Sequence, residues 1–263
     1  MMIRNPLGLR LDPDQPVRDQ IYEAARIGAR GVVLDASGEL APHRLGATGR
    51  RELRHILRTT ELSLVALALP TRRAFDTDDQ LDDRIRRADA AFAMAYELGT
   101  TLVLARTGQV PPPEDVSRRA VFTGAHLALG QRADHRGVRL ALETSAETGE
   151  QLASFLDGVA STGLAASINP ANLLEMGIDP VATARELGSW VVHAYANDAT
   201  NRAQARGVNP RGVGFPRGAL DWAEYLGSLE EIGYLGFLTI WPDFSRPLAA
   251  QFQTVAERLK KIG

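Results

Sequence analysis

Eight short apolar runs, each followed by an amphipathic stretch, recur along this 263-residue chain and restrict its possible folds more than any other feature. They lie at 9–11, 31–35, 62–69, 101–106, 138–143, 165–169, 190–195 and 237–240. The last six are nearly continuous in Val, Leu, Ile and Ala, as strands covered on both faces read. The intervening stretches have helical period and legible ends. Pro16 stands at a first helical position and Gly31 follows the close of that helix. Leu81, Ile85, Ala88, Phe92 and Ala95 form an apolar stripe that Gly99 terminates. Asp221 and Glu224 have the spacing of a capping box. Further helices are predicted at 51–59, 115–135, 149–159, 180–187 and 248–260.

Strict β–α alternation over a chain of about 250 residues predicts an α/β fold, a single (β/α)8 TIM barrel spanning 1–263. An open doubly wound sheet is the alternative. It calls for a Gly-rich phosphate turn after the first strand, and Leu11-Asp12-Pro13-Asp14 is not one.

Composition narrows the chemistry. With no Cys, disulfides, thiol nucleophiles and cysteine-ligated metals are all excluded. Thirty basic against 32 acidic residues leave a net charge of −2, against the basic surface that nucleic-acid binding needs. All the basic residues except Lys260 and Lys261 are Arg, a bias too broad to mark a site. Residues 1–6 lack a signal-peptide apolar core, and the longest apolar run, 62–69, falls far short of the ~20 residues of a membrane span. The expectation is a cytoplasmic protein with no membrane partner.

In a barrel of this kind the site lies at the C-terminal ends of the strands, and side chains alternate between interior and helix layer. Leu140 and Leu142 face the helices, which turns Glu143 inward; Ile168 outward turns Ser167 and Asn169 inward. Val191, His193 and Tyr195 share the inner face of strand seven, and Thr239 and Trp241 that of strand eight. Glu143, Asn169, His193 and Trp241 thus gather at one mouth. A carboxylate and an imidazole there suit base and acid, or two ligands of a divalent metal.

Five segments in order carry a resemblance. They are 140–143 (Leu-Ala-Leu-Glu), 167–172 (Ser-Ile-Asn-Pro-Ala-Asn), 191–198 (Val-Val-His-Ala-Tyr-Ala-Asn-Asp), 218–222 (Gly-Ala-Leu-Asp-Trp) and 232–240 (Ile-Gly-Tyr-Leu-Gly-Phe-Leu-Thr-Ile). Together they resemble the xylose isomerase-like TIM barrels, the sugar phosphate isomerase/epimerase group that includes endonuclease IV. The resemblance implies a metal held by Glu, Asp, His and Glu at the ends of strands five to eight, with the two Glu as a proton-transfer pair. Glu143 and His193 match the first and third positions, while the second is Asn169 and the fourth Trp241. The Asp-Pro-Gly-His of the family reads Asn169-Pro170-Ala171-Asn172 here. Asn brings no charge and Trp cannot ligate, so divalent metal binding by Glu143 and His193 is weak or absent. Asp243, two residues past Trp241, replaces the lost carboxylate only if the strand continues through Pro242.

The resemblance implies a sugar isomerase/epimerase acting by proton transfer, with Glu143 the retained base and His193 its acid partner or co-ligand. Its ligand is a small carbohydrate or hydroxy acid. Asn169 and Asn172 suit hydroxyl recognition, Trp241 suits stacking on a sugar ring, and Arg106 suits an anion. Asp198 is a further candidate, as is Arg217 in the Arg- and Gly-rich stretch 201–218. No P-loop or nucleophile elbow occurs, so no nucleotide cofactor is expected. The alternatives are a non-catalytic ligand- or partner-binding descendant and, less in keeping with the charge and ligand set, an abasic-site endonuclease.

Overall fold

The computed structural model describes residues 5–198 and 220–262. Eight parallel strands close into a barrel in the order β1 to β8, with β1 paired to β8. The strands are β1 (Leu7–Arg10), β2 (Gly31–Asp35), β3 (Ser63–Leu69), β4 (Leu102–Ala105), β5 (Arg139–Glu143), β6 (Leu164–Ile168), β7 (Val191–Tyr195) and β8 (Leu238–Ile240). The helices around them are α1 (Val17–Ile27), α2 (Ala47–Thr59), α3 (Leu81–Leu98), α4 (Val116–His135), α5 (Gly149–Val159), α6 (Pro170–Glu175), α7 (Pro180–Leu187), α8 (Trp222–Glu231) and α9 (Leu248–Ile262). No helix among the described residues is long and apolar enough to cross a membrane.

Local signals set these boundaries. The Asp221 carboxylate accepts from the Ala223 and Glu224 amides and caps α8. A reciprocal capping box opens α5, with Thr148 and Gln151 bonded to each other's backbone. Gly28 and Gly99 close α1 and α3 in the left-handed conformation. One difference from the sequence reading stands out at α1: Pro16 is its cap rather than its first residue, while the helix closes at Ile27 with Gly28 as its cap, ahead of Gly31 as expected.

Two apolar layers follow from strand alternation. Leu9, Val32, Leu34, Leu140, Leu142, Ile168, Leu238 and Ile240 face the helices, whereas Val33, Ala66, Ala68, Leu104, Ala141, Ala165 and Tyr195 fill the interior. Strand seven corrects the expected pattern. Val191 belongs to the outer layer and Val192 packs inside, because the β6–β7 register slips between Ala166 and Ser167. The bulge restores His193 to the interior opposite Ser167. The short α6, directly after β6, is unanticipated by the apolar period because it spans only 6 residues.

Candidate active site at the barrel mouth

Arg10, the last residue of β1, is the hub of the mouth. Its Nε and Nη2 donate to Asp35 Oδ1 at 3.1 and 2.7 Å, and its Nη1 donates to the Tyr195 hydroxyl at 3.0 Å. The same Nη1 lies 3.7 Å from Glu143 Oε1. The guanidinium stacks on Trp241, 3.7 Å from the ring centre. Burial alone would lower the Arg10 pKa, but Tyr195, Asp35 and Glu143 reverse this and hold it above its ordinary value. For Asp35 burial outweighs Arg10, and its pKa is raised.

Glu143 ends β5 and its side chain is 4% exposed. Its Oε2 accepts from Arg106 Nε at 2.9 Å, while Oε1 has no hydrogen-bond partner among the described residues. Burial pushes its pKa up, yet Arg10 and Arg106, with the Tyr195 hydroxyl, outweigh burial and leave it below the usual carboxylate range. Glu143 is therefore an anion clamped by two cations, and a weak base while both remain. Arg106, expected to receive an external anion, here pairs with Glu143, and its Nη2 donates to Asn172 Oδ1 at 3.3 Å. Its side chain is 45% exposed, so it is the looser of the two clamps.

His193 is fully enclosed. Its Nδ1 is hydrogen-bonded to Ser167 Oγ at 2.8 Å and its Nε2 to Thr239 Oγ1 at 2.9 Å. The Tyr195 ring stands edge-on to it, with centroids 4.6 Å apart. Burial, with an opposing pull from Glu143 and a reinforcing one from Arg10, lowers its pKa to about 3. A neutral imidazole with both nitrogens committed offers neither a ready proton to Glu143 nor a lone pair to a metal. Its evident part is to tie β6, β7 and β8 together under the mouth.

The remaining candidates divide. Asn169 caps α6 by accepting from the Asn172 amide at 3.4 Å, and its buried Nδ2 has no partner among the described residues. Asp198 is buried just past β7 with both carboxylate oxygens unpartnered among the described residues, as is Oδ1 of the adjacent Asn197. Trp241 lies at the mouth as expected, packed on Tyr195 with centroids 5.3 Å apart, but Arg10 covers one of its faces. Arg217 lies outside the described residues. Asp243 does not extend β8 into the mouth: it accepts from the Ser245 amide and hydroxyl at 3.0 and 2.6 Å and pairs with Arg246. Sequence reasoning missed Arg10 and Asp35 and left Tyr195 without a role. The signal was present, since alternation places Arg10 opposite in sense to Leu9 and Leu11, and Asp35 with Val33.

The donor set does not fit the divalent ion that the sequence resemblance implies. No three His, Cys, Asp or Glu groups converge for a metal among the described residues. Glu143 is engaged by Arg106, both nitrogens of His193 are taken, and a fixed guanidinium stands beside Glu143.

Residues 21–262 match the family described as xylose isomerase-like TIM barrel. No curated protein matches by sequence. Among solved structures, a xylose isomerase domain protein from Planctomyces limnophilus is similar at 17% identity with a TM-score of 0.80, covering 98% of this chain and 96% of that one. D-psicose 3-epimerase from Clostridium cellulolyticum, with D-tagatose, aligns at 13% identity and a TM-score of 0.78, covering 98% and 99%. D-allulose 3-epimerase from Methylomonas sp. aligns at 17% identity and a TM-score of 0.75 over 100% of both chains. At these identities the likeness is one of fold.

Proposed function

The chain belongs to the xylose isomerase-like TIM barrel family, and on that premise we propose that its mouth binds a small polyhydroxylated ligand, a carbohydrate or sugar-derived hydroxy acid, with Glu143 as the single base. The observation that carries this reading is a set of buried polar atoms lacking partners among the described residues at the ends of β5 to β7. They are Glu143 Oε1, Asn169 Nδ2, Asn197 Oδ1 and both oxygens of Asp198. Unpaired buried polar atoms are costly, and a ligand whose hydroxyls both donate and accept satisfies such a mixed set. The epimerases of like fold, named for psicose and allulose, support the same ligand class.

The chemistry follows from the number of bases. Inversion at one carbon needs proton donors on opposite faces of the substrate. Here the second family Glu is Trp241, so Glu143 works from one face only. One base that removes and returns a proton on the same face moves it from C2 to C1, with the hydroxyl proton passing from O2 to O1 of the substrate, as in aldose–ketose interconversion. Oε1, which accepts no hydrogen bond among the described residues, is the atom that takes the proton. Arg106 leaving Oε2 as the ligand enters would strengthen the base, while Arg10 keeps the carboxylate in place.

A second reading, ligand binding without turnover, is favoured by the lowered Glu143 pKa, since a clamped carboxylate is a poor base. One experiment separates the two. The purified protein is incubated in deuterium oxide with a panel of aldoses, ketoses and aldonates, and carbon-bound deuterium is read by NMR. Incorporation abolished by Glu143→Gln supports proton transfer. Binding of a panel member without exchange supports the binding reading, and absence of both sinks the carbohydrate assignment.

A further inference from the structure

Three oxygens from three different strands converge on one guanidinium. Asp35 Oδ1 of β2 lies 2.7 Å from Arg10 Nη2, and the Tyr195 hydroxyl of β7 lies 3.0 Å from Nη1. Glu143 Oε1 of β5 lies 3.7 Å from that same Nη1. Two carboxylates and a hydroxyl aimed at one point make the kind of oxygen set that a hard divalent cation takes. Here the charge of the protein's own Arg10 side chain fills it.

We propose that Arg10 is the resident cation of this site, occupying the oxygen set of Asp35, Glu143 and Tyr195 and thereby closing the mouth to divalent metal. Arg10 is held on every side: Asp35 takes two of its donors, Tyr195 a third, and the Trp241 indole supports its face. A planar guanidinium matches this arrangement of carboxylate and aromatic partners in a way that a lysine ammonium does not. A divalent ion brought to Glu143 Oε1 would stand within a few ångströms of that fixed positive charge and of Arg106 on the other oxygen. At such separations, with little water between, repulsion is strong. The loss of family ligands at Asn169 and Trp241 and the presence of Arg10 are then two sides of one exchange. The oxygens that survive are neutralised from within, and the indole replaces a carboxylate with a platform for the guanidinium. Arg10 acts as a positioning residue, holding Glu143 ionised and in place from a distance of 3.7 Å.

The test is Mn²⁺ binding by the full chain, read by electron paramagnetic resonance of free Mn²⁺, so that no substrate is needed. Its failure leaves the proton-transfer reading standing, and failure of that reading leaves this one standing. The wild-type protein is expected to bind no stoichiometric Mn²⁺ in its mouth. Arg10→Ala and Arg10→Met, which free Asp35 and Glu143, are expected to bind about one equivalent with affinity raised at least about tenfold, because a fixed repulsive charge is gone. Added guanidinium chloride should displace that ion, and Asp35→Asn in the Arg10→Ala background should abolish its binding. Folded Arg10 variants that gain no Mn²⁺ overturn the proposal. Should neither variant fold, the wild-type protein decides. An equivalent of Mn²⁺ lost in Glu143→Gln overturns the proposal, and the absence of such an equivalent upholds it.

Discussion

The Arg10 guanidinium lies 3.7 Å from the centre of the Trp241 ring, so one face of the indole at the mouth is covered by the protein's own cation. Arg106 lies against the same ring at 5.4 Å. The indole therefore supports two arginines that between them address both oxygens of Glu143.

Arg106 is the clamp that can be removed with least damage. Arg106→Gln is expected to raise the Glu143 pKa, because burial is the largest influence on it and only Arg10 and the Tyr195 hydroxyl then remain to oppose burial. The wild-type shift is downward, so the stability it confers is present above the ordinary carboxylate pKa and lost as pH falls through the folded value. That acid limb should shrink in the variant. With Arg106 half exposed, the loss at neutral pH should be about 1 kcal/mol or less. An NMR titration of the Glu143 carboxyl carbon checks this; an unchanged pKa would mean that Arg106 does not set the charge.

His193→Ala leaves the Ser167 and Thr239 hydroxyls without their shared partner and opens a void in the barrel. A cost of about 2–5 kcal/mol is expected near pH 7.5. The folded pKa of about 3 lies below the ordinary 6.5, so the unfolded chain takes up a proton that the folded one refuses. The His193 contribution is complete above about pH 6.5 and declines as pH falls toward 3. Near pH 5 the gap between wild type and variant should therefore narrow by roughly 2 kcal/mol in urea unfolding. A gap that stays constant with pH would argue that the imidazole is not held neutral.

Glu147, in the loop after β5, behaves in the opposite sense. It is 3% exposed, its Oε1 accepts from the Ser145 amide at 3.2 Å, and Oε2 has no partner among the described residues. Burial raises its pKa from 4.5 to about 7. The folded chain keeps a proton that the unfolded chain loses, so stability falls as pH rises through that window. Glu147→Gln should leave melting near pH 4 almost unchanged and raise stability near pH 8 by up to about 3 kcal/mol. Equal effects at both pH values would refute the assignment.

Gly163 sits where α4 passes the start of β6. A Cβ there would overlap the backbone carbonyl of Gly130 and crowd the Asp134 amide, neither of which can yield without moving α4. Gly163→Ala should cost about 3 kcal/mol or more, at the upper end for overpacking. Gly130→Ala meets chiefly the Ser161 side chain and should cost less. Thermal melts of the two variants would reverse this order only if α4 is free to shift.

The barrel and half of its mouth were legible because buried strands alternate with little noise. Glu143, Asn169 and Trp241 lie where inward positions in strands five, six and eight put them, and Ser167 and Thr239 share the inward sense of His193. What alternation lacks is distance. Nothing local to β1 shows that Arg10 meets Glu143, whose strand lies across the barrel, or that it reaches Tyr195 from 185 positions away. Pairing of charges across a barrel is a property of closure, so an inward Arg reads only as an oddity until its partners are placed. Val191 was misread for a different reason. One extra residue in β7 opposite the Ala166–Ser167 step reverses the alternation, and no residue type marks the bulge.

β1 and β8 meet with Gly8 opposite Thr239, and this seam joins the first strand of the barrel to the last. Arg10 comes from the first strand and Trp241 from just past the last. The seat of the cation is therefore complete only once the ring of strands shuts. Until then Arg10 has Asp35 beside it but no indole beneath it. A chain ended before β8 would lose the support of its charge together with its eighth strand, so a competent mouth certifies a finished barrel.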